Sequence, residues 1–267
     1  MNNNFSLTKA TEIFLKHYNI WSENISKEVL TYNTHKIRHV LWVLETWRNI
    51  IIKLKENQTI ANETIKRAEM TFIFHDLWRF YQNDKQRVLL NSEFEHGDES
   101  AKITKEEGYD DKVVWAIKYH NKYSIEKLFL EPDYLKMNEE DKNETVFLAK
   151  LIRDADKLQN MIYDTFNIEN IIKLDPYAKD LPKWDLSQDI LDDLKNHLQV
   201  NRNNIKTLSD YYVSNLSRIY DINFQESIDM LKYYWYFKKI YNIIDAIPEV
   251  TKSSKDVLVE HILNYKK

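Results

Sequence analysis

The residues best equipped for chemistry sit at the end of an apolar run, TFIFHDLWR over residues 71–79, which closes in the adjacent pair His75 and Asp76. Burying an imidazole and a carboxylate side by side is costly unless something compensates them. A divalent cation would do so, because a neutral imidazole and a carboxylate can bind the same ion. Four other residues of suitable type lie beside amphipathic runs that could carry them into one core. His39 falls in HKIRHVLWVLETW, His96 opens HGDESAKI, His120 lies in VVWAIKYHNK, and Asp156 lies in LAKLIRDADKLQNM. With oxygen and nitrogen ligands and no sulfur, the ion could be Mn, Fe, Mg, Ni, Co or Zn. Such an ion lowers the pKa of a bound water from 15.7 toward roughly 7.

Each residue also has a plainer reading. A lone His39 on the flank of an apolar stripe is more often a satisfied core histidine. His96 is a polar helix start, and His120 is a helix C-terminus, where a partly charged imidazole is favourable. Asp154 and Asp156 project about 200° apart on an ideal helix, so both cannot reach one ion. It is the combination that favours a metal site.

The order His, His-Asp, His, His, Asp, spread through RHVLWV, FHDLWRF, FEHGDESAKI, IKYHNK and RDADKL, resembles the HD superfamily of metal-dependent phosphohydrolases. An HD dipeptide alone would carry almost no information; five blocks in the right order do. The resemblance implies an all-α fold, an HD-domain helical bundle with additional C-terminal helices. By position it implies His39, His75, Asp76 and Asp156 as core metal ligands, with Asp156 chosen over Asp154 because it directly precedes the lysine. His96 and His120 match the extra histidines of dinuclear or phosphate-facing members. Asp76, able to hold both metal and water, is the expected orienter of the nucleophile. Arg79, His96, His120 and Lys157 are the expected groups to meet charge developing on phosphoryl oxygens. Arg153 is read either as a further phosphate-facing cation or as one half of a surface ion pair.

Departures from the pattern narrow the substrate. Leu77-Trp78 stands where many relatives place Ile-Gly, and no GYP-like triplet follows, which argues against a cyclic-dinucleotide phosphodiesterase of that branch. Arg79-Phe80-Tyr81-Gln82 occupies the stretch where alarmone hydrolases carry a Glu-Asp pair. The resemblance therefore points to a phosphohydrolase of a nucleotide or other small phosphorylated substrate. Two other classes share these ligands: a di-iron oxygenase acting on a small polar substrate, and a non-catalytic binding or regulatory HD protein.

The elements that must position these groups read as helix after helix. Residues 7–18 form a first amphipathic segment. Asn33 or Thr34 is the expected cap of a long helix through residue 55, with Ile37, Val40, Leu41, Leu44, Trp47, Ile51 and Leu54 on its apolar side. Residues 61–78 form the helix ending in the HD pair. Residues 82–95 read as a loop where substrate could enter, with a short ordered piece at 88–90. His96 begins a helix to residue 107, Gly108 is its left-handed stop, and Asp110 caps the next helix, over 113–120. A connection over 130–140 containing Pro132 leads to a helix over 141–160. Pro176 and Pro182 bracket a loop that divides an HD-type core, residues 1–175, from a C-terminal helical extension, residues 176–267, packed on it. That extension carries helices over 186–198, 208–220, 224–244 and 257–265. The aromatic run MLKYYWYFKKIYNII in the third is core or a subunit interface of a homo-oligomer rather than a base-stacking platform.

Composition excludes other classes. The 267 residues are 43% hydrophobic and 13% aromatic, enough for a full core. The absence of cysteine excludes disulfides and thiolate metal sites and fits a reducing, cytoplasmic setting; the N-terminus lacks a signal-peptide layout, and no segment approaches a membrane span. With Gly97 and Gly108 as the only glycines, no phosphate-cradling glycine-rich loop or dinucleotide fingerprint can be written. The formal charge of −4, with acids and bases interspersed, gives no stripe dedicated to nucleic acid.

Overall fold

The computed structural model describes residues 6–23, 25–82, 95–174, 178–233 and 235–265. Its architecture is all-α, with no strand among the described residues. No helix among them is long and apolar enough to cross a membrane. The chain divides into two compact units, Met1–Asp156 and Lys157–Lys267. Sequence places the division at 175/176, beside Pro176. The units instead divide inside the helix Glu139–Leu174, which runs past the expected stop at residue 160. A proline marks where a helix cannot continue, and that is a different property from where packing changes partner.

The first unit holds α1 (Leu7–Ser22), α2 (Lys27–Asn57), α3 (Asn62–Phe74), α4 (Arg79–Gln82), α5 (His96–Glu106), α6 (Asp111–Tyr119), α7 (Pro132–Leu135) and the start of α8 (Glu139–Leu174). α3 packs against α1, α2, α5 and α6. Enclosed in this way, it buries Met70, Thr71, Phe72, Ile73 and Phe74 in succession, so its end reads as an unbroken apolar run rather than a stripe. Burying each large apolar side chain favours the fold by about 1.5–3 kcal/mol. The α2 stripe is Val40, Val43, Leu44, Trp47, Ile50, Ile51 and Leu54, all buried at helical spacing. Leu41, expected on that stripe, is 58% exposed, because the true stripe lies one step round the helix.

α2 begins at Lys27, so neither Asn33 nor Thr34 caps it. Asn33 is buried and donates from Nδ2 to Trp21 O at 3.3 Å, near the end of α1. A tertiary partner has taken the side chain that local propensity would give to a cap. The expected stops around α5 and α6 are present: Gly108 has φ 86°, and Asp110 Oδ1 accepts from Val113 N at 3.2 Å. The expected loop over 82–95 lies, from residue 83 to 94, outside the described residues.

An ion-pair network ties α3, α6 and α8 together. Arg67 bridges Asp110 (2.7 Å) and Glu144 (3.0 Å), Glu144 also accepts from Lys112 Nζ (2.9 Å), and Thr64 donates to it at 2.7 Å. Burial pushes the Glu144 carboxyl up, but Thr64, Lys112 and Arg67 together hold it below its ordinary value. A folded-state pKa below the unfolded one gives stability that is present above the unfolded value and lost as pH falls through the folded one. Glu144→Gln should therefore cost stability at pH 7. The gap from wild type should narrow in thermal melts as pH falls below the ordinary glutamate range; a gap that does not change with pH contradicts the network's electrostatic role.

The second unit continues α8 and adds α9 (Gln188–Lys195), α10 (Leu208–Ser217), α11 (Gln225–Tyr233), α12 (Tyr236–Asp245) and α13 (Lys252–Leu258). Asp210 is its polar anchor: fully buried, it accepts from Ser187 N, Lys206 N and Thr207 N at 2.9–3.0 Å. The expected single helix over 224–244 is broken. Trp235 adopts φ 56°, a left-handed conformation that ends one helix and starts the next, and it is 67% exposed. Tyr234 lies outside the described residues. Tyr236, Phe237, Ile240 and Ile244 from the same aromatic run are buried, as core residues should be.

Candidate metal centre

α3 stops at Phe74, immediately before the HD pair, which occupies a turn rather than the helix end expected from sequence. His75 is the C-cap, its N–H bonded to Thr71 O at 3.0 Å, and Ser100 Oγ of α5 accepts from Trp78 N at 3.0 Å to fix the turn. Both His75 and Asp76 are buried. α2 delivers His39, α8 delivers Asp156, α5 opens with His96, and α6 ends at His120.

Two rings are oriented by their own helices. His75 Nδ1 donates to Phe72 O at 2.7 Å and His120 Nδ1 to Ile117 O at 2.6 Å. In each, that leaves Nε2 as the lone-pair nitrogen facing inward. Burial lowers the pKa of both, with His120 pushed furthest, so both are neutral near pH 7. Burial also lowers His96, to about 4, against the pull of Asp76.

The two oxygens of Asp76 face different partners. Oδ2 lies 3.7 Å from His39 Nε2, 3.9 Å from His75 Nε2 and 3.0 Å from Lys36 Nζ. Oδ1 lies 3.5 Å from His96 Nε2 and 3.5 Å from Arg79 Nε. Asp156 Oδ1 lies 3.0 Å from His39 Nε2 and 4.0 Å from His75 Nε2. Burial pushes both carboxyls up, yet Lys36, His75 and Arg79 hold Asp76 well below the usual range, and His39 and His75 do the same for Asp156. Both carboxylates are therefore ionised.

This donor set fits a cation. His75 Nε2 is buried with no hydrogen-bond partner, and its nearest neighbours include two ionised carboxylate oxygens. A lone pair facing other acceptors in a dry site leaves a charge unanswered. Among the described residues, two groups of ligand atoms converge, each within 4.8 Å: His39, His75 and Asp76, and Asp76, His96 and His120. Asp76 belongs to both.

Of the remaining residues singled out in the sequence, Arg79 reaches the cluster, with Nη2 3.4 Å from His96 Nε2. Lys157 lies in the second unit, where its Nζ meets Asp221 Oδ2 at 2.6 Å. Asp154 is fully buried. Arg153 is neither phosphate-facing nor on the surface: it is fully buried and donates from Nη1 to the carbonyls of Tyr119 (2.8 Å), His120 (3.3 Å) and Lys122 (2.7 Å). The end of α6 leaves carbonyls without helical partners, and a buried guanidinium satisfies them.

Lys36 is a site residue that sequence reasoning passed over. The available signal was its spacing, one turn before His39 on the same helix face. Asn121 is another: its Nδ2 lies 3.1 Å from His96 Nδ1. Its signal was adjacency to His120.

The first unit thus gathers imidazoles and carboxylates from five separate segments into groups that could hold a metal ion. The model of the HD domain family matches residues 37–161, and this part of the chain is an HD domain. No curated protein and no solved structure matches the chain.

Proposed function

We propose that the protein is a metal-dependent phosphohydrolase that acts on a nucleotide or another small phosphorylated substrate. The observation carrying this reading is the Asp76 carboxylate, which turns one oxygen toward His39 and His75 and the other toward His96, with cations beside both. On this reading His39, His75, Asp76 and Asp156 would hold one divalent ion, and Asp76, His96 and His120 would hold a second. Ions held there would supply the acidity that makes a bound water nucleophilic near neutral pH, and would polarise a phosphoryl oxygen. The protein's own residues do the rest. Asp76 orients the water. Burial lowers the pKa of His75, His96 and His120, so near neutral pH each ring keeps one lone-pair nitrogen. Arg79 and Lys36 put two positive charges beside Asp76, where they can meet charge growing on phosphoryl oxygens. With acids and bases interspersed over the chain, a small anionic substrate fits better than a nucleic acid polymer.

The test is a hydrolysis screen. Metal-stripped protein, reloaded separately with Mn, Fe, Mg, Ni, Co and Zn, is presented with nucleotides and sugar phosphates. Phosphate release that requires metal and does not require oxygen is the expected result. Oxygen uptake by the iron form without phosphate release would move the assignment to the di-iron oxygenase reading, and inactivity with every metal would sink the enzyme reading.

A further inference from the structure

His96 is held differently from its neighbours. His75 and His120 each rest Nδ1 on a backbone carbonyl, which can only accept, so their inward Nε2 atoms are fixed as lone pairs. His96 Nδ1 rests instead on the side-chain amide of Asn121, which can present either a donor or an acceptor. In the structure the amide nitrogen faces the ring at 3.1 Å, so it donates to Nδ1 and the neutral ring carries its proton on Nε2. Two acceptors face that proton, His120 Nε2 at 3.2 Å and Asp76 Oδ1 at 3.5 Å, while Arg79 Nη2, which can only donate, lies 3.4 Å from the same nitrogen and favours the other tautomer. The other end of the amide is left over: Asn121 Oδ1 is buried with no hydrogen-bond partner.

The surroundings hold the amide in place. A Cβ at Gly97 would lie 2.3 Å from Asn121 Oδ1 and 3.0 Å from Lys118 O, so only glycine at this position leaves room for the side chain. The backbone on either side is fixed, because Arg153 takes the carbonyls of His120 and Lys122. Lys122 Nζ in turn pairs with Glu95 (3.1 Å) and Asp98 (2.5 Å) at the start of α5. Asn121 Nδ2 also lies 3.5 Å from Glu95 Oε2, a contact that a half-turn of the amide would give up.

We propose that Asn121 is a positioning residue for His96, held against Gly97, and that a half-turn of its amide changes the His96 tautomer. With Oδ1 toward the ring, Nδ1 carries the proton, Nε2 becomes a lone pair beside Asp76 Oδ1, and the stranded oxygen gains a partner. This inference rests on the two-ion reading above. It gives that site a built-in difference between its ligands: the His39/His75 side is set in advance, while the His96/His120 side becomes a ligand pair only when the amide turns.

The test has a spectroscopic arm and a stoichiometric arm, both with manganese-free zinc as the probe metal. In nitrogen-15 NMR, metal-free wild type should show His96 protonated at Nε2, changing to Nδ1 as zinc is added. Asn121→Leu, which keeps bulk but loses the amide, should weaken the second zinc by roughly 10–100-fold while the first stays. Asn121→Asp offers only acceptors and should restore the second zinc. Gly97→Ala, which displaces the amide, should behave like Asn121→Leu. The proposal is overturned if His96 is protonated at Nδ1 in both states, if Asn121→Leu binds two zinc ions as tightly as wild type, or if Asn121→Asp is as impaired as Asn121→Leu. Wild type taking no zinc would overturn the two-ion reading together with this inference, whereas two zinc ions in both wild type and Asn121→Leu would overturn the inference alone.

Discussion

Asp76→Ala should reduce turnover by on the order of a thousandfold or more, above what one lost transition-state hydrogen bond costs. The size follows from how many roles meet in one carboxylate. Its two oxygens serve both ligand groups, so no neighbour can replace it, and it is the proposed orienter of water. Its removal also leaves Lys36 and Arg79 without the buried negative charge they flank. Two positive groups then face the imidazoles, which disfavours any incoming cation. The check is turnover on whichever substrate the hydrolysis screen identifies, with far-ultraviolet spectra confirming the fold. Retention of a tenth of wild-type turnover would mean that Asp76 is neither bridge nor orienter.

Arg153→Met should have the largest effect on stability. Deleting a buried cation also removes the cost of burying it, and in some proteins that trade is favourable. Here the acceptors decide the sign. Three backbone carbonyls lose their donor in a dry site, at about 1–3 kcal/mol for each one left unsatisfied. A net loss of about 3 kcal/mol is expected, which for a chain of this size is a fall in Tm of roughly 10 °C. Because Arg153 fixes the segment carrying His120 and Asn121, metal affinity at the second ligand group should fall as well. A Tm within 2 °C of wild type would show that water or backbone movement satisfies those carbonyls.

Much of this fold is legible in the sequence because helical periodicity and stop signals are local. The apolar spacing in α2, the left-handed Gly108 and the Asp110 cap each depend on a few neighbouring residues. The order of His39, His75-Asp76, His96, His120 and Asp156 is also a property of the chain alone. What sequence concealed depends on partners distant in the chain. Asn33 looks like a cap until Trp21 is known to lie beside it. The break at Trp235 carries no glycine or asparagine to announce it. Lys36 reads as a solvated charge until Asp76 arrives from a residue 40 positions away. Arg153 reads as a surface cation because burying a guanidinium makes sense only once three carbonyls are known to await it.

The most direct test of the central claim is the number of divalent ions bound per chain, measured by elemental analysis of the purified protein after saturation and removal of free metal. The account predicts two in wild type, one in His39→Ala and in His120→Ala, and close to none in Asp76→Ala. One ion in wild type, lost with His39 or Asp156 but unaffected by replacing His96 or His120, would contradict it.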